Sequence, residues 1–129
     1  MSELIIITKA KDLCGYVLTV TQNSPKHFRY TFVSRLQNLS LEIIEDLYRA
    51  NDIYVAGGDR YAARRLDYQH KAMTDIRLLA YMAQLAMEQK CIFPKQFEQI
   101  SVKTTECLRL LGAWINSDRK RLSSSRSRE

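Results

Sequence analysis

The chain has only two histidines, His27 and His70, and the second lies three residues after Asp67. A carboxylate and a histidine at this spacing share one face of a helix, as in the di-metal sites of helical bundles. Such a site needs a second pair of the same kind and two further inward carboxylates. His27 has Ser24 three residues before it, so the second pair is missing. We therefore predict no metal site, and we expect Asp67 to pair with Lys71 four residues on.

Other kinds of catalytic or anchored protein also lack support in the sequence. The three cysteines, Cys14, Cys91 and Cys107, are odd in number and widely spaced, which fits small buried residues of a cytoplasmic protein better than disulfides or a zinc site. There is no arrangement typical of a catalytic triad and no glycine-rich phosphate loop. The longest aliphatic run is Leu4–Ile7, whereas a transmembrane helix needs about 20 residues. We expect no enzymatic activity, no cofactor, no small-molecule substrate and no membrane partner.

Positive charge is the remaining candidate for a binding function, because the net charge is +6. Arg60, Arg64 and Lys71 share one predicted helix face, and Lys26 and Arg29 lie together near the start of another helix. Phosphate groups are bound by clusters of this kind. A solvated face without a ligand is the alternative, since a carboxylate lies among the first three. The predicted nucleic-acid-binding residues are Lys26, Arg29, Arg60, Arg64, Lys71, Arg119, Lys120, Arg121, Arg126 and Arg128.

The elements that must position these residues are helices. The 129 residues include only four glycines and two prolines, too few for the many turns of a β-sandwich or barrel. Pro25, the pair Gly57–Gly58 and Pro94 divide the chain into segments in which apolar residues recur every three or four positions. This is the pattern of amphipathic helices. We predict four helices, at about residues 3–21, 25–55, 59–89 and 94–116.

Four helices joined by three short connections must have antiparallel neighbours. The sequence therefore predicts an all-α fold, an antiparallel up-down-up-down four-helix bundle over residues 1–117. Residues 118–129 carry five basic and two acidic side chains and only one apolar residue, so we predict a disordered basic tail there. The large apolar side chains expected in the core are Trp114, Leu111, Phe28, Phe32 and Leu36.

The second predicted helix has more apolar surface than one bundle needs. A helix in a bundle typically buries an arc of about 100°, and here a second apolar arc lies beside the main stripe. The extra arc predicts self-association, with another copy of the chain covering it. Tyrosines also tolerate half-exposure at a surface, which is the alternative explanation. The predicted oligomer interface consists of Tyr30, Val33, Leu41, Ile44 and Tyr48.

Three blocks of the sequence resemble one family. The first runs from Pro25 through Arg-aromatic-Thr at 29–31 to Leu36, the second from Asp75 to Ala83, and the third is Leu-Leu-Gly-Ala-Trp-Ile at 110–115. In this order and spacing they resemble the second, third and last helices of accessory variability determinant proteins. Those are the small partners of reverse transcriptase in diversity-generating retroelements, and the resemblance covers roughly residues 8–117.

The resemblance implies a non-enzymatic accessory protein. In that family the four-helix bundle assembles as a five-fold barrel, binds RNA or DNA through a basic surface and docks to a reverse transcriptase, with no catalytic residue to carry over. Related bundles are encoded in intervening sequences of bacterial large-subunit ribosomal RNA genes. A structural, self-assembling bundle of that type without strong nucleic-acid binding is therefore the alternative. A metalloenzyme is a third possibility, which the histidine count disfavours.

Overall fold

Four long helices make up almost all of the fold. The computed structural model describes the backbone of residues 2–127 and the side chains of residues 5–123, and it contains no β-strand within that range. The helices, in chain order, are α1 (Ser2–Thr21), α2 (Ser34–Asp52), α3 (Asp59–Glu88) and α4 (Pro94–Ser127).

Each helix packs against two others: α1 contacts α2 and α4, and α3 contacts the same two helices. At one end of the bundle, the Oγ of Ser24 in the α1–α2 connection donates a 2.9 Å hydrogen bond to the carbonyl oxygen of Cys91 in the α3–α4 connection. At the opposite end, Arg65 near the start of α3 binds Asp118 on α4. Neighbouring helices therefore run antiparallel, and the predicted up-down-up-down bundle is confirmed.

The core follows the centre of the bundle and contains the side chains expected there. Trp114, Leu111 and Leu36 are fully buried, while Phe28 and Phe32 are partly buried and pack against the same cluster. The three cysteines are buried free thiols. Burial raises the pKa of the Cys107 thiol to about 11, so it stays protonated and unreactive near neutral pH.

The entry into α2 differs from the single helix predicted from Pro25. A 3-10 turn over Lys26–Phe28 is followed by a π-helical stretch over Arg29–Val33, and regular α-helix begins only at Ser34. Ser24, a residue type that often caps a helix, does not cap this one, because its hydroxyl binds the α3–α4 connection instead. A π-helical stretch holds one extra residue per turn, and such insertions often occur at functional sites.

The turn between α2 and α3 depends on two glycines. A 3-10 turn over Val55–Gly57 ends at Gly58, whose φ of 117° is a conformation that residues with a side chain rarely adopt. Asp59 is the first residue of α3, with Gly58 at the position before it. A carboxylate in the first turn interacts favourably with the positive end of the helix dipole.

The last helix continues beyond the predicted domain boundary. The sequence indicated that it fades near Asn116 and that a disordered tail begins at residue 118, but α4 extends to Ser127. Asp118 is only 8% exposed, so it belongs to the bundle. The physical reason is a partner 53 positions earlier in the chain, Arg65, which holds Asp118 in the interior. Residues 128 and 129 of the predicted tail lie outside the described residues.

Candidate nucleic-acid interface and assembly surface

Apart from Lys71, which lies in the middle of α3, the predicted basic residues with described side chains lie at two ends of the bundle and do not form one patch. Lys26 and Arg29 follow the α1–α2 connection, whereas Arg60 and Arg64 occupy the first two turns of α3. Since α3 has 30 residues, the two ends are separated by about 45 Å along the helix. Arg119 and the residues after it join the second end, because α4 finishes beside the start of α3. We call this second end the α2–α3 turn end.

Six of the predicted cations are exposed and free of ionic partners. None of them forms an ion pair with any residue whose side chain the structure describes. Free guanidinium and ammonium groups of this kind can exchange their counterions for phosphates. These six residues are Lys26, Arg29, Arg60, Arg64, Arg119 and Lys120.

Lys71 differs from these six, because it lies against carboxylates of the α2–α3 seam. Its Nζ is 3.0 Å from Oδ2 of Asp46 and 3.1 Å from Oδ2 of Asp75, and Glu42 lies 3.9 Å away. The hydrogen bond to Asp46 is the main cause that raises the pKa of Lys71. Burial raises the pKa of Asp75, and the bond from Lys71 partly opposes this. The expected pairing with Asp67 is wrong, because the Lys71 side chain extends toward α2 and binds Asp46 there. A buried carboxylate is stabilised more by a nearby cation than an exposed one is.

A buried ion pair between α3 and α4 was not predicted from the sequence. Arg65 donates through Nε and Nη2 to the two carboxylate oxygens of Asp118, at 2.9 and 3.1 Å. Gln69 donates to the same carboxylate at 3.0 Å, and the Arg65 guanidinium lies 4.8 Å from the centroid of the Trp114 ring. The spacing of residues was the one signal for it. Leu111, Trp114 and Asp118 follow one another at steps of three and four, so all three lie on the same buried face of α4.

The remaining tail cations have different settings. Arg121 donates to Asp118 at 3.2 Å and is 63% exposed in its side chain. Arg126 lies within α4, but its side chain is outside the described range, and Arg128 is outside it altogether. Only part of the predicted basic tail has described side chains, and that part is helical.

Three of the five predicted interface residues line one side of α2, and Val33 continues this side in the residue before the helix. We call Val33, Leu41, Ile44 and Tyr48 the assembly stripe. Leu41 and Tyr48 are 44% and 43% exposed, while Val33 and Ile44 are partly buried and touch the core. The stripe lies on the side of α2 that meets α1. Gln37, within the stripe's face, donates to the Thr21 hydroxyl on α1, and the Lys11 ammonium lies 5.4 Å from the centroid of the Tyr48 ring.

Tyr30 stands apart from the other predicted interface residues. It is 87% exposed and lines an open cavity with Asn38 and with Met82 of α3, on the side of α2 away from α1. The reason is the π-helical stretch that contains it, because an extra residue per turn rotates every side chain before it relative to an ideal α-helix.

Metal-binding clusters and membrane-spanning helices are absent from the described part of the chain. It contains no group of three or more histidine, cysteine, aspartate or glutamate side chains arranged to hold a metal ion. Asp67 and His70 are both exposed. Among the described helices, none is long and apolar enough to cross a membrane.

The chain matches the sequence model of one known family. The sequence model of a family described as bAvd-like matches residues 4–118, most of the chain. The protein belongs to the bAvd-like family. This match confirms the resemblance to accessory variability determinant proteins, and its limit at residue 118 coincides with the buried Asp118. No curated protein matches the chain at a significant level.

The bAvd-like bundle has a similar solved structure. It is the crystal structure of a protein with unknown function from the S23 ribosomal protein family of Bacteroides thetaiotaomicron VPI-5482. The TM-score is 0.77 at 14% sequence identity, and the similarity covers 90% of this chain and 99% of the other. At that identity the similarity establishes the fold alone. Family membership in turn indicates a helical accessory protein.

Proposed function

We propose that this bAvd-like protein assembles with further copies of itself, in a ring of five, and binds RNA or DNA through basic surfaces in partnership with a reverse transcriptase. It acts without catalysis of its own. The three buried free thiols suit a reducing compartment such as the cytoplasm. The family match ends at residue 118, and the cations on the part of α4 beyond it extend the proposed binding surface.

The observation that carries the proposal is the set of six exposed cations without ionic partners at the two ends of the bundle. Among the exposed arginines outside this set, Arg49 is engaged by Glu45 and Asp46 and Arg109 by Glu106. Arg35 and Arg77 lie away from the α2–α3 turn end and also form no ion pair with a described side chain. The unpaired cations at the ends have no such neutralising partner. An anionic polymer long enough to span several copies would neutralise them.

Assembly supports nucleic-acid binding by multiplying these contacts. A single bundle offers few free cations at either end, so one copy alone binds phosphate weakly. Copies fixed in a ring present the same cations repeatedly, and linked weak sites gain affinity through effective concentration. The assembly stripe supplies apolar surface for contacts between copies. A closed ring repeats one head-to-tail contact around an axis.

The test is a salt titration with a generic structured RNA. In the first variant, Arg60→Gln and Arg64→Gln remove two unpaired cations. In the control, Arg49→Gln and Arg109→Gln make the same charge change at cations that already have partners. We expect the first variant to flatten the plot of log affinity against log salt by about 0.7 to 0.9 for each phosphate that is no longer neutralised. The control should keep the wild-type slope.

The second candidate is a structural, self-assembling bundle whose charges only keep it in solution. The engagement of Lys71 by three carboxylates favours it, because this cation stabilises the bundle and is not available to phosphate. The two candidates differ in one measurement. Absence of RNA binding by the wild-type assembly at low salt would leave the structural role and exclude the proposed one. A reverse-transcriptase gene beside the coding sequence would favour the proposed role.

A further inference from the structure

Two aromatic rings are exposed at the α2–α3 turn end. Tyr54, in the turn itself, is 76% exposed, and Tyr61, in the first turn of α3, is 44% exposed. Tyr54 lines an open cavity of about 480 Å³ together with Arg65 and Arg121. Tyrosine tolerates half-exposure, but a ring that is 76% exposed has little of its apolar surface covered. A ring that the fold leaves in solvent beside cations is available to a flat, anionic ligand.

The backbone of the turn holds both rings in place. The N–H of Gly57 donates to the carbonyl oxygen of Tyr54 at 3.2 Å, and the N–H of Gly58 donates to Val55 at 3.3 Å. The Tyr61 ring lies directly against Gly57, since a Cβ added there would be 2.7 Å from Cδ2 of the ring. The glycine pair therefore does more than end α2. It lets the turn close tightly enough to support the Tyr61 ring and leave Tyr54 projecting.

Positive charge surrounds the two rings. Among the described side chains at this end, five exposed arginine and lysine residues stand against three exposed carboxylates, those of Asp52, Asp59 and Asp67. The buried Asp118, which Arg121 also contacts, is balanced by Arg65. The local excess is positive, so an anionic ligand is favoured over the same end of another copy, which would bring like charges together. The five cations are Arg60, Arg64, Arg119, Lys120 and Arg121.

We propose that the α2–α3 turn end is a binding site for single-stranded RNA or DNA, in which bases stack on Tyr54 and Tyr61 while the neighbouring cations contact phosphates. The inference rests on the proposed nucleic-acid function, and it specifies the end of the bundle and the form of the strand. Exposed base faces distinguish a single strand from a duplex, in which the bases are stacked on one another and only edges and phosphates can be reached.

The opposite end carries exposed aromatics too, but they fit this role less well. Tyr30 is 87% exposed, but the open cavity that it lines with Asn38 and Met82 contains one cation, Arg35, whereas the cavity beside Tyr54 contains two. Phe93 is 71% exposed, yet the α3–α4 connection that holds it contributes lysine but no arginine, and its backbone N–H is already bound to Gln96. Tyr61 lies instead on α3 between Arg60 and Arg64, and Tyr54 lies in the turn that leads into this helix.

The experiment uses fluorescence anisotropy with a labelled single-stranded oligonucleotide of about 12 nucleotides, and with the duplex formed by adding its complement. Tyr54→Ala removes the most exposed ring, Tyr54→Phe keeps the ring without the hydroxyl, and Tyr81→Ala removes a ring that is 57% exposed at a distant position of α3. Light scattering on each variant verifies that assembly is unchanged. Stacking of one base on an aromatic ring corresponds to roughly fivefold or more in affinity.

We expect Tyr54→Ala to weaken single-strand binding at least about fivefold while duplex binding stays within about twofold of wild type. Tyr54→Phe and Tyr81→Ala should bind both probes as wild type does. Gly57→Ala, which forces the Tyr61 ring away from the turn, should also weaken single-strand binding selectively. If Tyr54→Ala binds the single strand as tightly as wild type, the stacking site is refuted although nucleic-acid binding stands. If wild type binds neither probe at low salt, both proposals fail.

Discussion

Arg65 on α3 and Asp118 on α4 form a two-point ion pair inside the bundle, with N–O distances of 2.9 and 3.1 Å. Their side chains are only 10% and 11% exposed. Arg65 also donates to the carbonyl oxygen of Ile53 at 3.4 Å, so one guanidinium joins α4 to the end of α2 as well. The pair fixes the C-terminal part of α4 beside the α2–α3 turn, where the proposed single-strand site lies.

Replacing Asp118 with alanine should destabilise the bundle strongly. The change leaves the Arg65 guanidinium buried without a carboxylate, which typically costs about 3–5 kcal/mol. Chemical denaturation, with the free energy of unfolding extrapolated to water, measures the effect. Asp12→Ala is the matched control: it breaks an ion pair with Lys103 in which the aspartate is 63% exposed, and it should cost no more than about 1 kcal/mol. Equal losses of stability in the two variants would contradict the structural role of the buried pair.

Removing Trp114 should also cost much of the stability. Its ring is fully buried, and deletion of a large core aromatic typically costs about 3–5 kcal/mol. Trp114→Phe should cost clearly less than Trp114→Ala, because it fills part of the volume and removes an indole N–H that has no hydrogen-bond partner in the described structure. Denaturation curves of both variants give the comparison. A shift below about 1 kcal/mol for Trp114→Ala would place this side chain at the surface.

The contacts of Lys71 with three carboxylates predict that the loss of stability on replacing this residue depends on pH. Because the pKa of Lys71 is raised above its ordinary 10.5, the ammonium stabilises the fold at all lower pH values and loses its effect only as pH rises through the raised pKa. Lys71→Met should therefore destabilise the protein near neutral pH, by about 1–3 kcal/mol, because Asp75 is left without its cation and Asp46 keeps only the longer contact to Arg49 at 3.3 Å.

Acid should reduce the defect of Lys71→Met. Burial raises the pKa of Asp75 above its ordinary 3.8, so the folded state takes up a proton more readily than the unfolded chain, and stability is gained as pH falls through that raised pKa. The difference in unfolding free energy between wild type and variant should shrink from about pH 7 to about pH 4. Lys71→Arg, which keeps a cation, should show little loss of stability. A difference that is constant with pH would mean that the carboxylates do not carry the effect.

The assembly stripe predicts the oligomeric state and how to disrupt it. Wild type should scatter light as a species several times heavier than the 15.0 kDa chain, about 75 kDa for the ring of five proposed from the family resemblance. Ile44→Glu places a charge within the stripe, at every repeated contact of a closed ring, and should yield monomers. Asn38→Glu adds the same charge at an exposed position of α2 outside the stripe and should assemble normally. A wild-type mass of 15 kDa at micromolar concentration would refute self-association.

Local sequence signals determined the bundle and most of its core. Apolar residues at helical spacing, interrupted at Pro25, Gly57–Gly58 and Pro94, were enough to predict four helices, because amphipathic periodicity and chain-breaking residues act within a few positions along the chain. Trp114 and Leu36 were assigned to the core for the same reason. The family resemblance also rested on short blocks of sequence, and the match over residues 4–118 confirms it.

Interactions between helices decided what the sequence alone left open or indicated wrongly. The serine- and arginine-rich stretch after Asn116 has the local composition of a disordered tail. In the structure, Arg65, which is distant in sequence, binds Asp118 in the interior, and α4 continues to Ser127. Lys71 has Asp67 at an ideal spacing on its own helix, yet it binds Asp46 on α2, because that buried carboxylate gains more from a cation than an exposed one does. Antiparallel packing likewise brings the end of α4 to the start of α3. Periodicity defines the faces of each helix, but the burial of charge depends on which helices the fold brings together.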